Sequence, residues 1–132
     1  MSNYRITFTK ITRILAMTTG TLVVVQFALA GYGAFSAFSH HKGFGPHEIL
    51  GTIIGVFTLL VLIAAAIARP SARVVYTAVT LFVLSGPIQP ILASIGKNHA
   101  WVGAIHALVG VLILGACFAL SMRTRESELA AA

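Results

Sequence analysis

Acidic residues are almost absent from this chain. Its 132 residues hold three glutamates and no aspartate, and charged residues of both signs make up only 9%. A soluble domain of this length needs far more charge to cover its surface. No paired carboxylate, activated nucleophile or nucleotide-binding motif stands out, so nothing assigns an enzymatic reaction, and whether the chain is an enzyme stays open. The single cysteine, Cys117, excludes an internal disulfide, and there is no C-x-x-C-H run for covalent heme attachment. The formal charge of +6 comes from scattered residues with no basic stripe, which excludes nucleic acid as a partner.

What is present is apolar. Hydrophobic residues make up 58% of the chain and the mean hydropathy is +0.93. Charge-free stretches run between Arg13 and Lys42, Glu48 and Arg69, Arg73 and Lys97, and Lys97 and Arg123. Each is long enough for the roughly 20 residues a helix needs to cross the hydrocarbon core. The spacing predicts helices over 14–36, 46–68, 74–95 and 100–122. The fold class expected is an all-α membrane protein, a single four-helix up-down bundle over residues 1–132. Continuous rather than alternating apolar runs exclude a β-barrel.

Basic residues set the orientation. Arg5, Lys10 and Arg13 precede helix one, Arg69 and Arg73 sit between helices two and three, and Arg123 and Arg125 follow helix four. Only Lys42 and Lys97 fall on the other side. The positive-inside rule then places both termini in the cytoplasm of a cell whose plasma or inner membrane the chain spans. Ala28-Leu29-Ala30 resembles a signal-peptide cleavage site. The long apolar run and its recurrence in helix three argue for a retained helix. The tail after Arg125 should fray.

The two halves of the chain repeat one pattern. Gln26 in helix one and Gln89 in helix three open similar segments. His47-Glu48-Ile49-Leu50-Gly51 in helix two matches His106-Ala107-Leu108-Val109-Gly110 in helix four. His40 and His99 each stand seven residues earlier, so H-x6-H-x3-G occurs twice, 59 residues apart. Each half is a hairpin of a glutamine helix and a histidine helix. Parallel repeats of this kind are related by an axis along the membrane normal.

Ionisable residues in membrane helices are functional candidates. Helices two and four are diagonal in an up-down bundle, so His47 and His106 can face each other across the core and ligate one b-type heme. Gly51 and Gly110, four residues on, lie one turn below on the same face and leave room for a flat ring. Lys42 and Lys97 are the outer cations available to heme propionates. Buried, Gln26 and Gln89 should face inward and bond each other, a histidine nitrogen or a ligand. Pro87 and Pro90 should kink helix three.

This repeat resembles half of a heme A synthase, in which each half is a four-helix bundle with histidines on its even helices. The resemblance implies His47 and His106 as heme ligands and Gln26 and Gln89 as repeat markers. The arginine that often follows the family's histidine is missing: Glu48 and Ala107 stand there. Through Pro46-His47 and Ile105-His106 the chain also resembles an uncharacterised bacterial family of small four-helix membrane proteins. Three functions follow as expectations. One is a heme b protein that moves electrons or handles heme near the outer leaflet, with a redox protein or quinone as its partner. Another is a cofactor-free scaffold or accessory subunit. A third is a zinc or copper site built from His40, His41, His47 and His99. Besides the lipid bilayer, a second copy of the chain is an open partner.

Overall fold

In the computed structural model, residues 2–37 and 43–130 are described. The described residues form helices and no strand. Helix α1 covers Asn3–Ala37, α2 Gly45–Ala68, α3 Ala72–Val83, α4 Gln89–Gly96 and α5 Ala100–Leu129. A π-helical turn, Leu84–Ile88, joins α3 to α4, so these form one span, Ala72–Gly96. Four helices are therefore long and apolar enough to cross a membrane. Two boundaries differ from expectation. Helix α1 starts eleven residues before the predicted 14, and α5 runs on to Leu129 rather than ending at 122. Polar ends do not stop these helices, because both leave the lipid while still packed on each other: Arg13 Nε stands 3.4 Å from Glu128 Oε1. The tail is thus helical through Leu129.

Interfacial aromatics mark the bilayer. Tyr4 and Tyr32 of α1 are both exposed. Twenty-eight residues separate them, about 42 Å at 1.5 Å per residue. That matches roughly 40–45 Å for a bilayer with its headgroups. Tyr76 and Trp101, also exposed, stand near opposite ends of the remaining spans.

The turn between α2 and α3 is closed by local chemistry. Arg69 takes the left-handed conformation (φ 41°, ψ 52°) and its N–H donates to Ala65 O at 2.8 Å. Pro70 follows and cannot continue the helix. Arg5 of α1 donates through Nε to Ala68 O at 2.8 Å and through Nη2 to Arg69 O. A cation therefore sits on the negative end of α2. Ser71 caps α3 by accepting from Val74 N–H.

Packing is uneven along the bundle. The core cluster runs through Ala16, Val23, Ile54, Val61, Ala65, Ala78, Leu81, Ile113, Cys117 and Leu120. Buried Thr9, Thr12 and Thr19 return their hydroxyls to carbonyls four residues earlier, at 2.7–2.8 Å, and so need no partner helix. Toward the end that holds the histidines the packing thins. The first buried residue of α2 is Ile54, and no residue of α4 is buried. No Cα of α2 comes within 8 Å of one in α4. The half of the bundle that holds the histidines is the loose half.

Candidate functional site

Gln26 and His47 make a reciprocal pair. The Gln26 amide donates from Nε2 to the backbone carbonyl of His47 at 2.8 Å, and His47 Nδ1 stands 3.2 Å from the backbone carbonyl of Gln26. The second half repeats it. Gln89 Nε2 donates to His106 O at 3.1 Å, and His106 Nδ1 stands 3.3 Å from Gln89 O. A carbonyl oxygen only accepts, so each Nδ1 carries a proton, and in the neutral ring each Nε2 keeps its lone pair. Neither Nε2 has a hydrogen-bond partner among the described residues. The glutamine side-chain amides therefore bond the histidine backbones, not each other and not the ring nitrogens.

The two pairs converge. The ring centres of His47 and His106 lie 6.1 Å apart with planes at 62°. Both rings, both glutamines, Gly51 and Gly110 line one cavity of about 110 Å³ in the bundle, floored by Val23, Ile54 and Ile113. Gln26 Oε1 and Gln89 Oε1 are buried here without a partner, and the ring Nε2 atoms face the same cavity walls without a hydrogen bond among the described residues. Such a set suits a Lewis acid or a hydrogen-bond donor.

The glycines act differently from the reading by spacing alone. A Cβ on Gly51 would come within 3.2 Å of Gln26 Nε2. One on Gly110 would come within 3.1 Å of the Phe27 ring and 3.6 Å of Gln89 Nε2. Gly51 thus lets the Gln26 amide reach the His47 carbonyl, and Gly110 makes room for the Phe27 ring.

A larger groove of about 540 Å³ adjoins the cavity through His47, Gly51, Ser85 and Gln89. It opens between α2 and α4, where the two helices stand apart. At its outer mouth Lys97 Nζ lies 3.6 Å from Glu48 Oε1, an exposed pair worth little in stability. Lys97 thus reaches the site region, already paired with the acid beside His47. Lys42, His40 and His41 lie outside the described residues. His99 caps α5 as an exposed residue and does not line the cavity. Among the described residues no three His, Cys, Asp or Glu side chains gather as a metal site.

Residues that spacing did not single out complete the frame. Ser85 donates to Thr58 Oγ1 at 2.7 Å or to Leu81 O at 2.8 Å, tying the third span to α2 below the cavity. Its position four residues before Gln89 was the available signal. Pro87 lies in the π-helical turn rather than at a simple kink. Such insertions shift the helix face that follows and are frequent at functional sites. Phe44 packs edge-on against His47, with ring centres 6.2 Å apart, and rests on Gly33.

The model of a family of unknown function, DUF6220, matches residues 26–95. The match starts at Gln26 and takes in His47 and Gln89 but stops short of His106. No curated protein and no solved structure matches the chain.

Proposed function

We propose that this chain, a member of the DUF6220 family, is a membrane protein that binds one b-type heme through His47 and His106. The observation that carries the reading is the pair of reciprocal bonds that hold each Nδ1 on a backbone carbonyl and leave each Nε2 free. Metal-ligating histidines are fixed in this way, with the second nitrogen on a carbonyl or carboxylate. Spacing agrees. With metal–nitrogen bonds of roughly 2 Å and about 1.1 Å from nitrogen to ring centre, two imidazoles on opposite sides of one metal stand about 6 Å apart. The cavity alone is smaller than a porphyrin. Cavity and groove together fall in the roughly 300–1,000 Å³ range of ligand sites. The resemblance to half of heme A synthase points to the same two ligands.

In this reading His47 and His106 hold the iron, and Gln26 and Gln89 fix the helix turns that carry them. Phe27, Ile54 and Ile113 keep the ring environment apolar. Lys97 is the described cation nearest a propionate, and it would have to leave Glu48. When bound, the heme supplies one-electron redox chemistry, which suits electron transfer or heme handling with a redox protein or quinone. In this reading the termini lie in the cytoplasm and the histidines near the outer leaflet, which the distribution of arginine and lysine supports.

The test is a visible spectrum of detergent-purified protein supplemented with heme. Bis-imidazole iron gives a low-spin spectrum with a sharp Soret band. His106→Ala should lose it or turn high-spin, and His47→Ala likewise. Folded wild-type protein without a Soret band would overturn the reading and leave the cofactor-free subunit as the better account.

A further inference from the structure

The end of the bundle that carries the chain termini holds a second group of polar side chains, remote from the histidines. Arg73 projects from the first turn of α3 and Arg123 from α5. Two hollows between these helices, about 790 and 490 Å³, meet at Arg73, Ala119 and Arg123. Arg123 Nη1 donates to Thr77 Oγ1, which draws its guanidinium toward α3. Thr77 sends its own proton to Arg73 O at 2.7 Å. Arg73 is exposed, and its guanidinium has no hydrogen bond or ion pair among the described residues. Glu126 lines the larger hollow and forms no ion pair there, so two guanidinium groups stand against one carboxylate.

The surroundings specify an amphiphile. Phe118 and Met122 line the same hollow and are 68% and 40% exposed. Tyr76, one turn beyond Arg73 on the same face of α3, is 72% exposed and lines the smaller hollow. Tyrosine at such a position marks headgroup depth. The positive end of α3 opens at the same level. A free phosphate would use the arginines and leave Phe118 and Met122 without a role.

We propose that this groove binds an anionic phospholipid, with its phosphodiester between Arg73 and Arg123 and an acyl chain along Phe118 and Met122. Guanidinium matches phosphate oxygens in a two-pronged geometry. Basic pockets between membrane helices on the cytoplasmic side recognise lipid headgroups by this chemistry.

Full-length protein in detergent micelles is titrated with phosphatidylglycerol and with phosphatidylcholine of the same chains, and bound lipid is counted by native mass spectrometry. Wild type should retain phosphatidylglycerol over phosphatidylcholine by on the order of tenfold. R73Q/R123Q should bring the two lipids close to parity. R125Q, which changes an arginine outside both hollows, should keep the preference, and E126Q should raise it. R73Q alone removes a side chain with no partner in the protein, so it should fold normally and lose preference several-fold. The proposal fails if the arginine variants keep the wild-type preference. It fails equally if R125Q loses as much as R73Q, since the effect is then diffuse surface charge. Displacement of phosphatidylglycerol by millimolar inorganic phosphate would instead make this a free-anion site and overturn the lipid assignment.

Discussion

Replacing Gln89 by leucine tests whether the glutamines serve stability or the site. The substitution removes the bond from Nε2 to His106 O at 3.1 Å. Interhelical bonds of this kind in membranes average about 0.6 kcal/mol and reach about 1.7. The same substitution also removes Oε1, which is buried without a partner. An unsatisfied buried acceptor costs roughly 1–3 kcal/mol. Leucine has nearly the same volume, so no cavity term enters. The His106 carbonyl keeps its helical partner four residues on, because α5 is continuous there. The two side-chain terms oppose each other, and the net change in stability should lie between about 0.7 kcal/mol of loss and about 2.4 kcal/mol of gain.

The ring bond survives the substitution. His106 Nδ1 donates to the backbone oxygen of residue 89, which leucine also supplies. What is lost is the grip on the histidine's own turn of helix. Outer-shell partners of metal ligands are worth about 10–100-fold in affinity. Heme affinity should therefore fall toward the lower end of that range while stability is not appreciably lost. A Soret titration measures the first quantity, and unfolding in a denaturing-detergent series the second. A stability loss above about 3 kcal/mol would mean that Oε1 is satisfied within the fold, and its description as an unpaired acceptor would be wrong. Unchanged heme affinity at unchanged stability would remove Gln89 from the site.

Gly110→Leu should weaken heme binding by displacing the Phe27 ring and the Gln89 amide, read as a right-shifted Soret titration; normal binding would show that both can yield. A reporter fused after Ala132 should read cytoplasmic. Cysteine is better placed at exposed His99 than at Gly43, where a Cβ would meet Ser36 Cβ at 2.5 Å, and H99C should label from outside intact cells. Labelling only after permeabilisation inverts the topology. Arg5→Ala should lower the unfolding free energy by about 1 kcal/mol, since a partly exposed charge-assisted bond to Ala68 O is lost. No change there would mean that water caps α2 equally well. Intact mass should include residues 1–30, and a start at Gly31 would make helix one a cleaved signal.

Four spans were legible because lipid leaves helices as the only answer to continuous apolar runs. The ends of α1 and α5 were not, because Arg13 and Glu128 hold those ends together across the bundle and neither residue signals the other in sequence. The repeat placed His47 and His106 on facing helices, and the structure brings their rings within 6.1 Å. It also placed both glutamines inward. Their partner was hidden, since a side chain that bonds a backbone carbonyl leaves no residue-type signature at the acceptor. For the same reason the role of Gly51 in admitting the Gln26 amide could not be read from spacing, which shows only that a face is bare.

The distribution of bonds over the chain says where a ligand would matter most. Both glutamine–histidine pairs join partners close in sequence, 21 and 17 residues apart, and each lies within one hairpin. Each hairpin can therefore satisfy its own polar groups before it meets the other. Between hairpins, the inner half is held by packing around Val61, Leu81 and Leu120 and by the Ser85–Thr58 bond. The histidine half has less, chiefly Phe27 against Gly110 and the exposed Lys97–Glu48 pair, and α2 stands away from α4. His47 of α2 and His106 of α5 face each other across the bundle at this level, with ring centres 6.1 Å apart. An iron between them would be a bond between hairpins at the place where packing is thinnest. Ligand binding to a folded form adds its free energy to that form. Heme should accordingly protect the outer ends of α2 and α5 from hydrogen exchange far more than the inner core. Uniform protection along the bundle would place the added stability elsewhere.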